Sequence, residues 1–426
     1  MKIAVIGTGY VGLTTGACLA ELGHTIICND IDKEKIARLQ KGICPIFEAG
    51  LPELLAKHLK SRKLSFTTSI QDAIANTGVI FICVGTPPKK SGLPDLSFVE
   101  KVIEDIGAHL DHYAVIVEKS TVPVQTAEWM KGLLKKYLKT PFDVAVNPEF
   151  LREGTSVHDF LHPDRIVIGA ETAKADKIMA ELYASIKAPI IHTNLNSAEL
   201  IKHASNSFLS MKISFANMVA QLCDKTNADI KTVMDGVGMD KRIGKEFLSA
   251  GLGYGGFCFP KDLDAFISVL EKHNVDASLL RSVRNINEQQ RAYVGKIAKQ
   301  MLGTLKSKTI GVLGLAFKPN TDDVRLSPAI MLIEDLQKQG AKIRACDPQA
   351  TENAKKILKN ITYCKDAYDV AHGSDLLILA TDWSDFKTMD LRKIKSHITN
   401  FIDARNVFNP ADMKKLGFNY RSIGRH

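Results

Sequence analysis

Short apolar runs alternate with segments of helical periodicity along the first half of the chain. Residues 3–6, 25–28, 79–84, 114–117 and 144–146 read as strands, and 166–170 and 189–192 as two more. Runs of this length bounded by helical patterns predict a mostly parallel α/β sheet. The pattern then changes. Residues 197–227 carry a long helical periodicity without proline, and 229–237, 260–273 and 276–301 also read as helices. Apolar positions fall on several faces of the 197–227 segment, which suits a connector that also forms a dimer interface. From residue 308 the strand–helix alternation restarts.

The restart echoes the beginning. Lys2-Ile3-Ala4-Val5-Ile6-Gly7, a helix and then Leu22-Gly23-His24-Thr25-Ile26-Ile27-Cys28-Asn29-Asp30 correspond to a later stretch. That stretch is Thr309-Ile310-Gly311-Val312-Leu313-Gly314, a helix and Gln339-Gly340-Ala341-Lys342-Ile343-Arg344-Ala345-Cys346-Asp347. The expected fold is α/β, with two Rossmann-like domains of parallel strands joined by a long central helix and a helical middle domain. The expected boundaries are 1–195 for the nucleotide-binding part, 196–302 for the helical, dimerising part and 303–426 for the second Rossmann-like part.

Composition changes this picture little. The 426 residues are 45% hydrophobic and 24% charged, which suits a globular chain of two or three domains. Net charge is +9, but the lysines and arginines are dispersed. No basic run or nucleic-acid motif stands out, so an anionic small molecule is the better use for the surplus charge. The eight cysteines form no CxxC pair and no zinc-like spacing. A reducing, cytoplasmic setting and no metal follow as expectations. Glycines interrupt the first thirteen residues, so they do not read as a leader, and no apolar stretch is long enough for a membrane span.

Gly7-Thr8-Gly9-Tyr10-Val11-Gly12 follows a strand, opens a helix and precedes Asp30 at the end of the next strand. That context makes it a dinucleotide-binding fingerprint. Gly7 permits the turn, Gly9 lets backbone approach a pyrophosphate and Gly12 lets helix and sheet pack closely. Asp30 would hold ribose hydroxyls and repel a 2′-phosphate, favouring NAD. Gly85-Thr86-Pro87-Pro88 and Ser120-Thr121-Val122-Pro123 follow further strands, so Thr86 and Thr121 stand where open α/β sheets bind ligands.

A second constellation suggests covalent chemistry. Cys258 lies in Gly253-Tyr254-Gly255-Gly256-Phe257-Cys258-Phe259-Pro260-Lys261-Asp262. Pro260 suits the first position of a helix. Cys258 would then stand just before it, where the helix dipole and Lys261 favour a thiolate. Lys202 and Asn206 are four apart, on one face of a helix, and can donate to an oxyanion. Asn147-Pro148-Glu149-Phe150-Leu151-Arg152-Glu153-Gly154 brings two carboxylates, each a candidate base for water. His203 reads as structural.

Together these segments, with Gly314-Leu315-Ala316-Phe317-Lys318 and Asp322-Asp323-Val324-Arg325, resemble the UDP-glucose/GDP-mannose dehydrogenase family over essentially the whole chain. The resemblance implies a four-electron oxidation of a sugar nucleotide at C6 with two NAD, through a thiohemiacetal and a thioester on Cys258. Lys202 and Asn206 would stabilise oxyanions, and Asp262, Thr121 and Glu149 would order water and move protons. Val11, Asp30, Lys35, Thr86, Thr121, Glu153, Lys261 and Arg325 would contact NAD. Glu149, Phe150, Leu151, Arg152, Lys202, Asn206, Phe247, Leu248, Ser249, Ala250, Gly251, Gly255 and Lys318 would hold the sugar nucleotide. Arg242 would reach the substrate of a neighbouring subunit in a homodimer or higher homo-oligomer. The Gly-Gly-Phe-Cys-Phe-Pro-Lys-Asp and Phe-Leu-Arg-Glu runs favour UDP-glucose over GDP-mannose or UDP-N-acetylmannosamine.

Overall fold

The computed structural model describes residues 1–87, 89 and 94–426. Pro88 of the Gly85–Pro88 turn lies outside the described residues. The chain packs as two compact units: Met1–Ser205 with Asp264–Val269, and Asn206–Leu263 with Leu270–His426.

The first unit holds strands β1 (Lys2–Ile6), β2 (Thr25–Asn29), β3 (Leu64–Thr67), β4 (Val79–Ile82), β5 (Ala114–Glu118), β6 (Phe142–Val146), β7 (Ile166–Ala170) and β8 (Ile190–Thr193). They form one sheet in the order β3-β2-β1-β4-β5-β6-β7-β8. All neighbours are parallel except β6 and β7, where Val146 pairs antiparallel with Gly169. The first six strands have the order of a doubly wound nucleotide-binding sheet. Alternating side chains leave β1 in opposite directions. Ile3 and Val5 enter one apolar layer, and Ala4 and Ile6 enter the other. Burial on both faces is what a central parallel strand requires.

The second unit repeats the plan with β9 (Thr309–Leu313), β10 (Lys342–Cys346), β11 (Thr362–Tyr363), β12 (Leu376–Leu379), β13 (Asn400–Asp403) and β14 (Asn419–Ser422). Their order is β11-β10-β9-β12-β13-β14, all parallel. The internal echo in the sequence is therefore an echo in topology. Ala216, Ala220, Met234 and Val294 share one core with Ile310 and Val312, so much of the helical middle of the chain packs with this sheet.

The echo stops at one side chain. Asp347 follows β10 as Asp30 follows β2. Its Oδ2 accepts from the backbone N–H of Leu315 and Ala316 at 2.7 and 3.0 Å and from Trp383 Nε1 at 3.1 Å. Its Oδ1 accepts from the N–H of Gln349 and Ala350 at 2.9 and 2.7 Å. All this carboxylate's strong partners come from within its own unit.

Two helices carry five of the remaining candidate residues, Lys202 and Asn206 on Leu195–Thr226 and Cys258, Lys261 and Asp262 on Cys258–Lys272, and a third, Ser278–Leu302, follows. The Cys258 helix begins two residues before the expected start at Pro260. The first four N–H groups of a helix have no partner within it, so a proline three residues in removes no internal bond. Cys258 is thus the first helical residue rather than a residue ahead of the helix. Among the described residues, no helix is long and apolar enough to cross a membrane.

Candidate active site

The first βα turn is built by contact distance. Gly7 has φ +98°, and a Cβ on Gly12 would lie 1.9 Å from the Gly7 carbonyl oxygen. A Cβ on Gly9 would meet nothing within 4 Å, so this backbone faces open space. Beside it, Asp30 Oδ2 accepts from Thr8 N at 2.9 Å, Thr8 Oγ1 at 2.7 Å and Lys35 Nζ at 2.8 Å. Burial would raise the Asp30 pKa, but the hydrogen bonds from Lys35 and Thr8 outweigh it and hold the carboxyl below its ordinary value. An open glycine edge, a helix N-terminus and an ionised carboxylate at the next strand end fit a dinucleotide without a 2′-phosphate. Val11 lies in the first turn of that helix, which spans Tyr10–Glu21.

A residue that no motif flagged ties this turn to the Arg152–Gly154 loop. Buried Glu48 accepts from the N–H groups of Gly154 and Ser156, both at 2.7 Å, and from the Tyr10 hydroxyl. Glu153 is therefore held next to the glycine-rich turn. Arg152 is exposed and pairs with Asp159 through Nε at 3.0 Å and Nη2 at 2.6 Å. Phe150 lies under the Arg165 guanidinium, 3.6 Å from the ring centre.

Glu149 and Lys202 meet in the same unit. Lys202 Nζ donates to Glu149 Oε1 at 2.9 Å, with both side chains 6% exposed. Glu149 Oε2 accepts from Leu151 N at 2.6 Å. The turn after β5 is gripped from the long helix Leu195–Thr226. Glu199 accepts from Gln125 N at 2.6 Å and Ala127 N at 2.8 Å, and His203 Nε2 donates to the Val122 carbonyl at 2.6 Å. Thr86 Oγ1 donates to the Thr121 carbonyl at 2.9 Å. Thr121 is thus fixed from both sides. His203 is structural, but it structures a candidate site residue. The i, i+4 spacing of Glu199 and His203 was the available signal.

In the second unit, Asn206 Nδ2 donates to Asp262 Oδ2 at 2.6 Å, and Lys261 Nζ lies 3.0 Å from Asp262 Oδ1. Lys202 and Asn206, one turn apart on one helix, therefore hold different carboxylates. Cys258 is exposed at the start of its helix. Lys261 and Arg325 both lie over the Phe257 ring, at 5.5 and 4.4 Å, and Arg325 also pairs with Asp323.

The loop before Cys258 is held by side-chain amides rather than by neighbouring strands. Asn217 Oδ1 accepts from Gly251 N and Gln290 Nε2 donates to the Gly251 carbonyl, both at 2.8 Å. Asn287 does both jobs for Tyr254, at 2.8 and 3.0 Å. A Cβ on Gly255 would lie 2.2 Å from the Leu326 oxygen, which explains glycine there. Phe247 packs edge-on against Phe259, Leu248 and Ala250 are buried, and Ser249 is exposed. Lys318 extends beside the Phe317 ring, while Arg405 Nη2 donates to the Phe317 carbonyl at 3.2 Å. Arg242 is highly exposed and chelates Asp240 two residues away. Among the described residues, no group of three or more His, Cys, Asp or Glu side chains is placed to hold a metal.

Comparison with known proteins supplies the family. Residues 1–187 match its NAD binding domain, 196–289 its central domain and 311–410 its UDP binding domain. The chain belongs to the UDP-glucose/GDP-mannose dehydrogenase family. It is 46% identical to UDP-glucose 6-dehydrogenase TuaD of Bacillus subtilis (strain 168), covering 100% of this chain and 93% of the relative. It is 42% identical to a UDP-glucose 6-dehydrogenase of Rhizobium meliloti (strain 1021), covering 100% of both. Among solved structures it is similar to a UDP-glucose dehydrogenase of Pyrobaculum islandicum, with TM-score 0.95 and 37% identity, covering 100% of this chain and 98% of that one. A UDP-D-ManNAc dehydrogenase of Pyrococcus horikoshii matches with TM-score 0.88 and 30% identity, covering 100% and 99%. As a member of this dehydrogenase family, the chain is an NAD-dependent oxidoreductase acting on a CH–OH group.

The Glu199 clamp has a pH signature. Burial is the main cause that lifts its carboxyl from 4.5 to about 7, against the backbone hydrogen bonds of Ala127, Gln125 and Thr126 that lower it. The folded state therefore binds this proton more tightly than the unfolded chain. Its contribution to stability falls as pH rises from about 4.5 to about 7. Glu199→Gln should remove that slope. In urea unfolding at about pH 5 and about pH 7.5, the variant should gain on the wild type at the higher pH. An unchanged gap between the two would refute the assignment.

Proposed function

We propose that this chain is a UDP-glucose 6-dehydrogenase, converting UDP-glucose to UDP-glucuronate through intermediates covalently held by Cys258. The observation that carries the reading is an exposed cysteine at the first position of a helix, with Lys261 and Asp262 one turn along it and Asn206 bonded to Asp262. Relatives at 42–46% identity over the whole chain are UDP-glucose 6-dehydrogenases, which supports the substrate.

NAD, when bound, accepts the hydrides that the oxidation releases, one per molecule in two rounds. Gly7, Gly9, Gly12, Val11, Asp30, Lys35, Thr86, Thr121, Glu153, Lys261 and Arg325 would hold it. Phe150 to Arg152, Phe247 to Gly251, Gly255 and Lys318 would hold the sugar nucleotide. The first oxidation takes a proton from the C6 hydroxyl and leaves an aldehyde. The Cys258 sulfur then bonds to C6, and the former carbonyl oxygen becomes an alkoxide. Donors such as Lys202 Nζ and Asn206 Nδ2 suit that charge. Loss of the second hydride leaves a thioester. Water attacks its carbonyl carbon, the C–S bond breaks and the thiolate returns. The positive end of the helix favours that thiolate. Glu149, Asp262 and Thr121 would order this water and take its proton.

We also place the enzyme in the cytoplasm as a homodimer. None of the eight cysteines is in a disulfide, as a reducing compartment requires. Phe208, Phe215, Met218 and Leu222 recur along one stripe of the helix Leu195–Thr226 and are 46–58% exposed. A second copy of this chain would cover that stripe with its own, and exposed Arg242 is the residue offered to the neighbouring site.

Three measurements test these statements. Purified protein with NAD and a panel of sugar nucleotides should form two NADH per UDP-glucose consumed. One NADH per sugar, or turnover of GDP-mannose or UDP-N-acetylmannosamine alone, would overturn the reading. Cys258→Ser should lower turnover on the order of 1,000-fold while calorimetry still detects UDP-glucose binding; wild-type-like turnover would exclude the covalent route. Phe215→Glu should halve the mass seen in sedimentation, and an unchanged mass would place the interface elsewhere.

A further inference from the structure

Lys119 has no part in the chemistry above, yet it is an unusual residue. It follows β5 and is 4% exposed. Its Nζ donates to Asn147 twice, to Oδ1 at 2.9 Å and to the backbone carbonyl at 3.2 Å. The Phe81 and Phe160 rings flank it at 5.8 and 5.9 Å. A cation this deep in an apolar setting is costly unless something requires it.

Asn147 is what it secures. Oδ1 of Asn147 also accepts from the Tyr183 hydroxyl at 2.5 Å, and Nδ2 donates to the Val167 carbonyl at 2.8 Å. The Asn147 N–H donates to the Glu118 carbonyl at 2.9 Å. Every polar group of Asn147 is thereby engaged, at the point where β6 ends and the chain turns into Pro148 and Glu149. Pro148 fixes its own φ and restricts Asn147 before it. A fixed Asn147 therefore transmits a fixed direction to Glu149. Lys119, Asn147, Glu149 and Tyr183 also line one small cavity of about 50 Å³, room for a few waters.

We propose that Lys119 is a positioning residue for the reaction: by locking Asn147 it sets where the Glu149 carboxylate stands against Lys202 and the cavity. The proposal rests on the reading above for Glu149, which makes that carboxylate a water-ordering group. A cation with several N–H donors suits this place, because it can donate at once to the side chain and to the carbonyl of the same residue. Burial, its main perturbation, lowers the Lys119 pKa from 10.5 to about 8. The charged and titratable groups facing it are Cys83, Glu149, Glu118 and Lys202, with Tyr183 across Asn147. Cys83, Glu149 and Glu118 oppose the shift, and Lys202 adds to it. The ammonium is thus lost as pH rises through about 8, and one set of donors to Asn147 weakens with it.

The test compares Lys119→Met and Lys119→Arg with the wild type. Lys119→Met should lower kcat by roughly 10- to 100-fold, as a displaced catalytic group does, with KM for the sugar nucleotide and NAD changed less than about threefold. The wild-type kcat should fall above pH of about 8. Lys119→Arg should recover much of kcat and lose that alkaline fall, because an arginine stays charged. A wild-type kcat in Lys119→Met, or an alkaline limb that persists in Lys119→Arg, overturns the proposal. If Lys119→Met does not fold, judged by thermal melting, the pH profile of Lys119→Arg decides. Failure of the wild type on UDP-glucose would strike the function reading instead, and the same comparison is then run on the sugar nucleotide that is turned over. A crystal structure of Lys119→Met with Asn147 and the Glu149–Lys202 pair unmoved would also overturn it, with no turnover needed.

Discussion

The buried ion pair of Lys202 and Glu149 constrains much of the first unit. Two opposite charges out of water are tolerable only when their geometry is good and their remaining polar capacity is met. Glu149 meets this with the Leu151 N–H on its second oxygen. The requirement then spreads outward. The Asn147–Gly154 segment must enter at one angle, so Asn147 is bonded on every polar atom. The long helix must hold Lys202 at one height, and Glu199 and His203 fasten that helix to the turn that follows Thr121.

A different device serves the thiol. The segment from Gly251 to Gly256 belongs to no strand, so its N–H and C=O groups lack ladder partners. Buried backbone without partners is costly. Asn217, Asn287 and Gln290 supply them from two helices. An amide side chain carries both a donor and an acceptor, so it can mimic the edge of a strand. The result is a loop with the order of a sheet and the shape freedom of a turn. That combination lets glycines approach Leu326 and Phe317 closely while Cys258 remains exposed at the helix start.

Much of the architecture was legible in the chain. The seven strands read in the first half all form, with ends shifted by a residue or two. The edge strand β3 was not read, because Leu64-Ser65-Phe66-Thr67 is too short to declare a period against its polar surroundings. The duplicated plan was readable because glycine, apolar run and aspartate recur in the same order. The start of the Cys258 helix was misplaced because Pro260 signals the first turn without saying which position of it. Site residues that sit in motifs were visible. Glu48, Lys119, Asn217, Asn287 and Gln290 were not, since each acts on the backbone of a segment distant in sequence. Nothing local distinguishes such a residue from any other polar one.

The two sheets share a strand order but treat their acidic residues in opposite ways. Asp30 takes its donors from the edge of an open glycine turn, next to free space, and keeps its charge near the surface of that turn. Asp347 is wrapped by five donors of its own unit. A carboxylate so saturated has no lone pair left to recognise a ribose. The second sheet therefore repeats the strand order of the first without repeating its open carboxylate.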